Sequence, residues 1–214
     1  MNTNNPLEDL KEIRKMMETS SKFLSLSGLS GISAGIIALL GSSYAWYLIS
    51  QFEKKAIHYV ATNQYGAKLK QLDFYLLFSA LVILILAVGF GFLFTYLSAK
   101  KKNHNLFQPI SFKLAWSIGL PLAFGGAFTL ILIHHQAWGF IGASTLMFYG
   151  LALLNASKYV HVEIKYLAIC QMTLGLLSAW FVSDMIYSLY FWALGFGVLH
   201  IIYGSIMYFK YERK

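Results

Sequence analysis

Six long apolar stretches, separated by short polar segments, make up most of the chain. They lie at residues 23–49, 74–98, 113–133, 137–156, 164–183 and 186–209. Each holds about 20 residues or more, which is the helix length needed to cross the hydrocarbon core of a bilayer. The apolar residues also run in blocks rather than along one face, unlike the core helices of a soluble domain. The pattern therefore predicts an all-α membrane protein, a bundle of six transmembrane helices.

A short amphipathic helix is predicted ahead of the first span, in residues 1–22. Asn5 suits its N-cap, Pro6 its first helical position, and Glu8 stands three residues after the cap, as in a capping box. Apolar residues form a stripe on one face of this helix, and the other face carries both acidic and basic residues. Such a mixed face has little attraction for anionic lipid. We expect this helix to dock on its own bundle or on a second subunit.

The distribution of lysine and arginine predicts the orientation. With the N-terminus inside, thirteen of these residues fall on the cytoplasmic side and four on the outer side. The two shortest loops both lie on the outer side and contain no lysine or arginine. Basic residues accumulate in cytoplasmic loops, so we expect both termini, including the tail 210–214, to be cytoplasmic. The longest predicted loop, residues 50–73, mixes apolar residues with the four outer lysines, and we expect it to lie at the membrane interface.

Small residues predict where the helices touch. Gly31 and Gly35 in the first span, and Gly197 and Gly204 in the sixth, recur at spacings that let helix backbones approach closely in lipid. The third span holds Pro121 among several glycines, and a proline inside a helix removes a backbone donor and bends or breaks it. Helices broken in this way line substrate sites in some transporters.

Composition excludes several classes of function. The chain of 214 residues is 57% hydrophobic and only 12% charged, about half the charged fraction of a soluble domain. Its net charge of +8 sits in clusters at the ends of apolar blocks, so we expect no nucleic-acid partner; the lipid bilayer is the predicted partner, with a homo-oligomer or a partner membrane subunit left open. A lone cysteine, Cys170, permits no internal disulfide and no cysteine-based zinc site. No metal and no cofactor are predicted.

Titratable residues inside a span are the candidates for chemistry, and they are few. His200 is the one ionisable residue deep within a predicted span, which makes it a functional candidate; the alternative is a neutral imidazole bonded to a neighbouring Ser, Thr or Gln. Asn155, His161 and Glu163 lie near the cytoplasmic ends of the fourth and fifth spans. Together with His200 they form a predicted polar cluster on the inner half of helices four to six.

Ser144 in the fourth span and His200 in the sixth also suggest an enzyme. The segment Gly142-Ala143-Ser144 resembles that of rhomboid intramembrane serine proteases, which place a serine in span four and a histidine in span six. The chain departs from that pattern, because Thr145 replaces the glycine after the serine and the second span offers no His or Asn for an oxyanion site. The enzyme hypothesis ranks third, and we expect a non-enzymatic protein.

Three segments resemble an uncharacterised family of bacterial six-span inner-membrane proteins. They are residues 17–31 (METSSKFLSLSGLSG), 155–159 (NASKY) and 199–204 (LHIIYG). The resemblance implies six spans in a bacterial cytoplasmic membrane and no known activity. His200, the third helix and a faint likeness between the two halves favour a small-solute transporter, a channel-like bundle or an accessory subunit. The alternative is a membrane sensor or regulator that acts through the N-terminal helix.

Overall fold

The structure is a computed structural model that describes residues 27–101, 108–181 and 184–213. Helices hold nearly all of these residues, and the described segments contain no strand. The prediction of an all-α protein is therefore confirmed. The amphipathic helix predicted in residues 1–22 lies outside the described residues.

The helices follow one another with short connections. Their bounds are α1 Gly28–Ala61, α2 Tyr65–Lys101, α3 Pro109–His134, a 3-10 turn Trp138–Phe140, α4 Ile141–Ala156, α5 Glu163–Trp180, α6 Met185–Trp192, a π-helical segment Ala193–Leu199 and α7 His200–Tyr211. The last three are continuous, and we call them together the last helix. Within the described residues, five helices are long and apolar enough to cross a membrane: α1, α2, α3, α4 with its 3-10 turn, and the last helix. This indicates a membrane-embedded protein.

The last helix lies at the centre of the packing. It contacts α1 on one side and both α4 and α5 on the other, while α4 and α5 pack along their lengths as an antiparallel pair. Two helices lie at the edges, since α2 packs against α1 and α3 packs against α4. None of the residues in the most apolar stretch of α2 is buried. Apolar surface of this kind is stable in lipid, because hydrocarbon tails solvate it as well as another helix would.

We call the two ends of the bundle the termini end and the hairpin end. At the termini end, Gly28 lies beside Tyr208, and Ser27 donates a hydrogen bond to Glu212. At the hairpin end, α1 turns into α2 and α3 turns into α4. The short turn after α3 makes α3 and α4 antiparallel neighbours, as the brevity of that loop predicts.

The loop predicted at residues 50–73 is helical except for a short turn, so that part of the prediction is wrong. Helix α1 continues to Ala61 and α2 begins at Tyr65, so only three residues form the turn, with Asn63 at φ 56°. Residues 50–61 contain neither Pro nor Gly, and nothing in them stops a helix. The ring of Phe52 also packs against Tyr59 and Tyr65, at centroid distances of 5.7 and 5.5 Å. At 1.5 Å per residue α1 is about 51 Å long, about 20 Å more than a hydrocarbon core.

Glycines hold α1 and the last helix in backbone contact. A Cβ atom added to Gly31 would lie 3.0 Å from the Cα of Gly204, and one added to Gly35 would lie 2.7 Å from the carbonyl oxygen of Gly197. The predicted close approach of these small residues is confirmed. In lipid such contacts replace the hydrophobic effect as the source of helix association, since the backbones gain dispersion contacts that larger side chains would prevent.

The third helix is not broken. Helix α3 runs without interruption through Pro121, so the prediction that proline and glycine interrupt this span is wrong. The irregularity lies instead in the last helix, at the π-helical segment Ala193–Leu199. A π-helical turn inside an α-helix is rare and costs hydrogen-bond geometry, and such turns concentrate at functional sites.

Candidate functional site

Two side chains bond to one backbone carbonyl within the π-helical segment. The carbonyl oxygen of Gly195 accepts both hydrogen bonds. The amide Nε2 of Gln171 donates at 2.8 Å, and the ring Nδ1 of His200 donates at 3.0 Å. A carbonyl oxygen has two lone pairs and can serve both donors.

These contacts fix the tautomer of His200. Because the oxygen of Gly195 is only an acceptor, Nδ1 must carry a hydrogen. Nε2 of the neutral ring then accepts, and the hydroxyl of Tyr149 lies 2.8 Å from it and donates. Gln171 Nε2 also lies 3.4 Å from His200 Nδ1; since both atoms are donors in this tautomer, that approach is packing. His200 is 5% exposed, and its two nitrogens are both paired.

Aromatic rings surround the imidazole. The ring of Phe196 stacks on His200 with an interplanar angle of 13° and a centroid distance of 5.8 Å. Phe196 also contacts Tyr149 at 4.9 Å, and Tyr149 contacts His200 at 5.3 Å. Three helices therefore build one site, which we call the histidine site: Tyr149 comes from α4, Gln171 from α5, and Gly195, Phe196 and His200 from the last helix.

Gln171 brings an unused acceptor to the histidine site. Its side chain is fully buried, and its Oε1 atom has no hydrogen-bond partner. A Cβ atom at Gly195 would lie 2.6 Å from this oxygen, so a larger residue here would have to displace the end of the Gln171 side chain. A buried amide oxygen without a partner costs about 1–3 kcal/mol, and it offers a binding position for a group that carries an O–H or N–H donor.

The other predicted site residues do not join the histidine site. Glu163 lies at the termini end, where its Oε1 accepts hydrogen bonds from Lys210 and from the hydroxyl of Tyr211. The ring of His161 stacks on Tyr211 at 4.2 Å. Asn155 faces another neighbour, and its Nδ2 donates to the carbonyl oxygen of Ser117 on α3 at 3.0 Å. His161 and Glu163 thus both contact Tyr211, whereas Asn155 bonds to Ser117 and His200 bonds to Tyr149 and Gly195.

The neighbours of Glu163 at the termini end lower the pKa of its carboxyl. Burial of Glu163 by itself raises the pKa of its carboxyl, but the hydrogen bonds from Lys210 and Tyr211 and the positive charge of Lys210 outweigh burial. They hold the pKa of Glu163 below its ordinary value. The Glu163 side chain is 18% exposed and that of Lys210 is 56% exposed, so solvent weakens the pair. We interpret it as a link between α5 and α7.

Ser144 does not meet His200. Its Oγ shares a hydrogen bond of 2.7 Å with the hydroxyl of Thr129 on α3. Along α4, Ser144 lies five residues from Tyr149, the hydrogen-bond partner of His200, which is a rise of about 7.5 Å. Because both nitrogens of His200 have other partners, no serine–histidine pair forms.

Sequence reasoning missed Gln171, Tyr149 and the π-helical segment. A sequence feature was present for the first of these, since Gln171 lies in the middle of an apolar span and an amide in lipid requires a partner. Tyr149 resembles the many other tyrosines of the chain, and nothing in its sequence surroundings marks it.

Across the described ranges, no group of three or more His, Cys, Asp or Glu side chains is placed to hold a metal ion.

No family model, no curated protein and no solved structure matches the chain. The resemblance to uncharacterised bacterial six-span proteins therefore stays a prediction.

Proposed function

We propose that the protein spans a bacterial inner membrane six times, with both termini in the cytoplasm, and is a non-enzymatic transport protein for a small polar solute. Helix α5 is the sixth span of this proposal. It lies antiparallel to α4, and the 17 residues that follow Glu163 in this helix of 18 extend about 26 Å, close to the thickness of a hydrocarbon core. The count of basic residues supports the orientation.

The histidine site carries this proposal. A titratable side chain in the middle of a span is costly and marks a site of function in membrane proteins. Here it coincides with a π-helical segment, the kind of irregular backbone that coordinates solutes in transporters. The free acceptor is Gln171 Oε1, and no carboxylate or ammonium group bonds to Tyr149, Gln171 or His200 within the described residues. The site therefore fits an uncharged solute that donates an O–H or N–H.

Ligand-induced stabilisation tests the proposal. Purified full-length protein is unfolded by heat in the presence of single small solutes from a panel of polyols, amides, amino acids and nucleosides. A solute that binds the folded state at 100 times its Kd stabilises that state by about 2.7 kcal/mol. We expect at least one solute to raise the Tm of the wild type and not that of Gln171→Leu. If no solute raises the Tm of the wild type more than that of Gln171→Leu, the histidine site binds none of these solutes and the proposal fails.

A regulatory function is the second candidate, and one contact favours it. Glu212, after α7, accepts hydrogen bonds from the backbone N–H of Gly28 and from the hydroxyl of Ser27. It thereby caps α1 at its first residue, and a carboxylate is stabilised at a helix N-terminus. Deletion of residues 1–20 separates the two functions. If the protein is a transporter, the variant that lacks residues 1–20 still shows the solute-induced rise in Tm. If it is a regulator, neither the full chain nor this variant shows such a rise.

A further inference from the structure

The hairpin of α1 and α2 continues beyond the rest of the bundle. Helix α1 and the last helix run antiparallel and meet where Gly31 contacts Gly204. The last helix begins at Met185, 19 residues before Gly204, and the residue of α1 at the same distance after Gly31 is Ser50. Ile49 is also the last buried residue of α1. The part of α1 that follows Ile49 therefore extends past the end of the last helix.

This extension is longer than the lipid headgroups can cover. From Gly28 to Ile49, α1 rises about 32 Å, which matches a hydrocarbon core of about 30 Å. The rest of α1, to Ala61, adds about 18 Å, whereas the headgroup layer on one side of a bilayer is about 5–8 Å thick. About 10 Å of the hairpin therefore projects into water. We call residues 50–73, which form the end of α1, the turn and the start of α2, the projecting hairpin.

Aromatic rings hold the two helices of the projecting hairpin together. The ring of Phe52 lies between those of Tyr59 and Tyr65, at centroid distances of 5.7 and 5.5 Å, and it thereby links α1 to α2. None of residues 50–71 is buried. The two helices thus cover only the sides that face each other, and their outer faces are open to contact with a partner.

Two aliphatic side chains lie on an outer face of the projecting hairpin. Ile57 is 86% exposed and Val60 is 63% exposed, and residues three apart on a helix are neighbours on its surface. Ile57 lies eight residues after Ile49, which is about 12 Å beyond the hydrocarbon core, and Val60 lies farther out. Lipid tails therefore do not cover this pair. Adjacent apolar side chains that face water are typical of a contact surface for another protein.

The charge of the projecting hairpin indicates what kind of surface it fits. It carries four lysines and two acidic residues, which are Lys54, Lys55, Lys68, Lys70, Glu53 and Asp73. Its net charge is therefore +2. Lys54 is exposed and lies three residues before Ile57, on the same side of α1. A basic surface attracts an acidic one and repels a second copy of itself.

We propose that the projecting hairpin is the docking surface for a second protein, whose contact segment is acidic and carries an apolar side chain that packs on Ile57 and Val60. Its acidic side chains pair with the lysines and steer the encounter, while the apolar contact supplies most of the affinity. The partner approaches the hairpin end, on the side of the membrane opposite the described ends of the chain. The inference does not depend on the transport function.

Photocrosslinking in the cells that make the protein tests this contact. The photoreactive residue p-benzoylphenylalanine takes the place of Ile57 in the full chain. In a matched control it takes the place of Val162, an aliphatic residue 56% exposed between α4 and α5. We expect a protein adduct from position 57 that position 162 does not give. Mass spectrometry then identifies the crosslinked segment of the partner, which should be acidic.

Binding of a synthetic peptide with the sequence of that segment measures the contribution of each side chain. The purified full chain is held in nanodiscs of uncharged phosphatidylcholine, and fluorescence anisotropy of the labelled peptide gives its Kd and association rate. Ile57→Ser should raise Kd by about tenfold or more, the effect of removing a central apolar contact. Lys54→Glu should slow association at low salt by about tenfold.

Val162→Ser and Lys158→Glu are the matched controls, since both residues are exposed and lie in the connection between α4 and α5. They should change neither Kd nor the association rate. All four substitutions are at surface positions, where the folded state tolerates change, and the Tm of each variant verifies this.

Several results would overturn the inference. In cells, these are the absence of a protein adduct at position 57, an adduct with lipid alone, or an adduct that joins two copies of this chain. A crosslinked segment that is not acidic has the same consequence. With the purified protein, the inference fails if Ile57→Ser binds the peptide as tightly as the wild type, or if Val162→Ser weakens binding as much as Ile57→Ser.

Discussion

The crossing of α1 and the last helix permits a prediction of stability from a single methyl group. In Gly204→Ala, the new Cβ would lie 2.5 Å from the carbonyl oxygen of Gly28, 2.6 Å from the backbone nitrogen of Ile32 and 3.0 Å from the carbonyl carbon of Gly31. All three atoms belong to the backbone of α1 and have no rotamer to change. Ordinary contact begins at 3.4 Å, so the two helices must separate by nearly 1 Å.

The magnitude follows from two opposing effects. A gap of 0.5–1 Å forfeits about a quarter to a half of the dispersion energy of the contacts that it opens, and insertion of a methylene into a packed site costs about 1–3 kcal/mol. Alanine in place of glycine inside a helix returns about 0.5–1 kcal/mol. The difference is a net loss of about 0–2.5 kcal/mol, which is about 1.3 kcal/mol at the middle of both ranges. For a chain of this size that middle value corresponds to a fall in Tm of about 3–5 °C.

Gly89→Ala on α2 is the matched control. A Cβ atom there meets nothing within 4 Å, so only the helix-propensity gain of about 0.5–1 kcal/mol remains, and Tm should rise by about 2 °C. Intrinsic tryptophan fluorescence of the purified proteins in detergent measures both transitions. If Gly204→Ala proves as stable as Gly89→Ala, the two backbones do not touch in this way and the packing of the last helix is wrong.

Three further predictions concern individual side chains. Tyr149→Phe leaves His200 Nε2 without a partner at a cost of about 1–3 kcal/mol, so its Tm should fall by several degrees, whereas Tyr166→Phe, at a residue 65% exposed, should leave Tm unchanged. Because the pKa of Glu163 lies below its ordinary value of 4.5, its ionised carboxylate stabilises the fold above pH 4.5, and this stability is lost as pH falls from 4.5 through the lower pKa of the folded state. The Tm difference between wild type and Glu163→Gln should therefore shrink from pH 7 to about pH 3, and a constant difference would contradict the pairing with Lys210. Ser144 should resist a fluorophosphonate probe, because its hydroxyl bonds to Thr129 and not to His200; labelling detected by mass spectrometry would revive the protease hypothesis.

The helices were predictable because transfer of a side chain to lipid is a property of each residue by itself. A block of about 20 apolar residues indicates a span whatever surrounds it. The glycine contact between α1 and the last helix was predictable for a similar reason, since Gly31 and Gly204 lie on regular helices where spacing alone defines the face. The tight turn between α1 and α2 was not predicted, because residues 50–61 are too polar to indicate a membrane span and yet contain nothing that ends a helix.

The histidine site could not be predicted from the sequence, for a different reason. His200 was identifiable from its position, but its partners depend on the axial register of three helices, and a shift of one residue would present a different side chain to the ring. The π-helical segment adds to this difficulty, since it rotates every later residue of the last helix by about 100° relative to a regular α-helix. Regular spacing from Ser188 would therefore assign Tyr203 and His200 to the wrong faces.

Gly195 shows how the irregular winding and the polar interior depend on each other. Its carbonyl accepts from Gln171 and His200, and its missing side chain leaves room for both Leu146 and the amide of Gln171. Without that carbonyl as a partner, two donors would be unpaired in the interior, at about 1–3 kcal/mol each. A larger residue would displace the amide. The π-helical turn is thus stabilised by the side chains that it serves, and the site forms only when α4, α5 and the last helix are packed together.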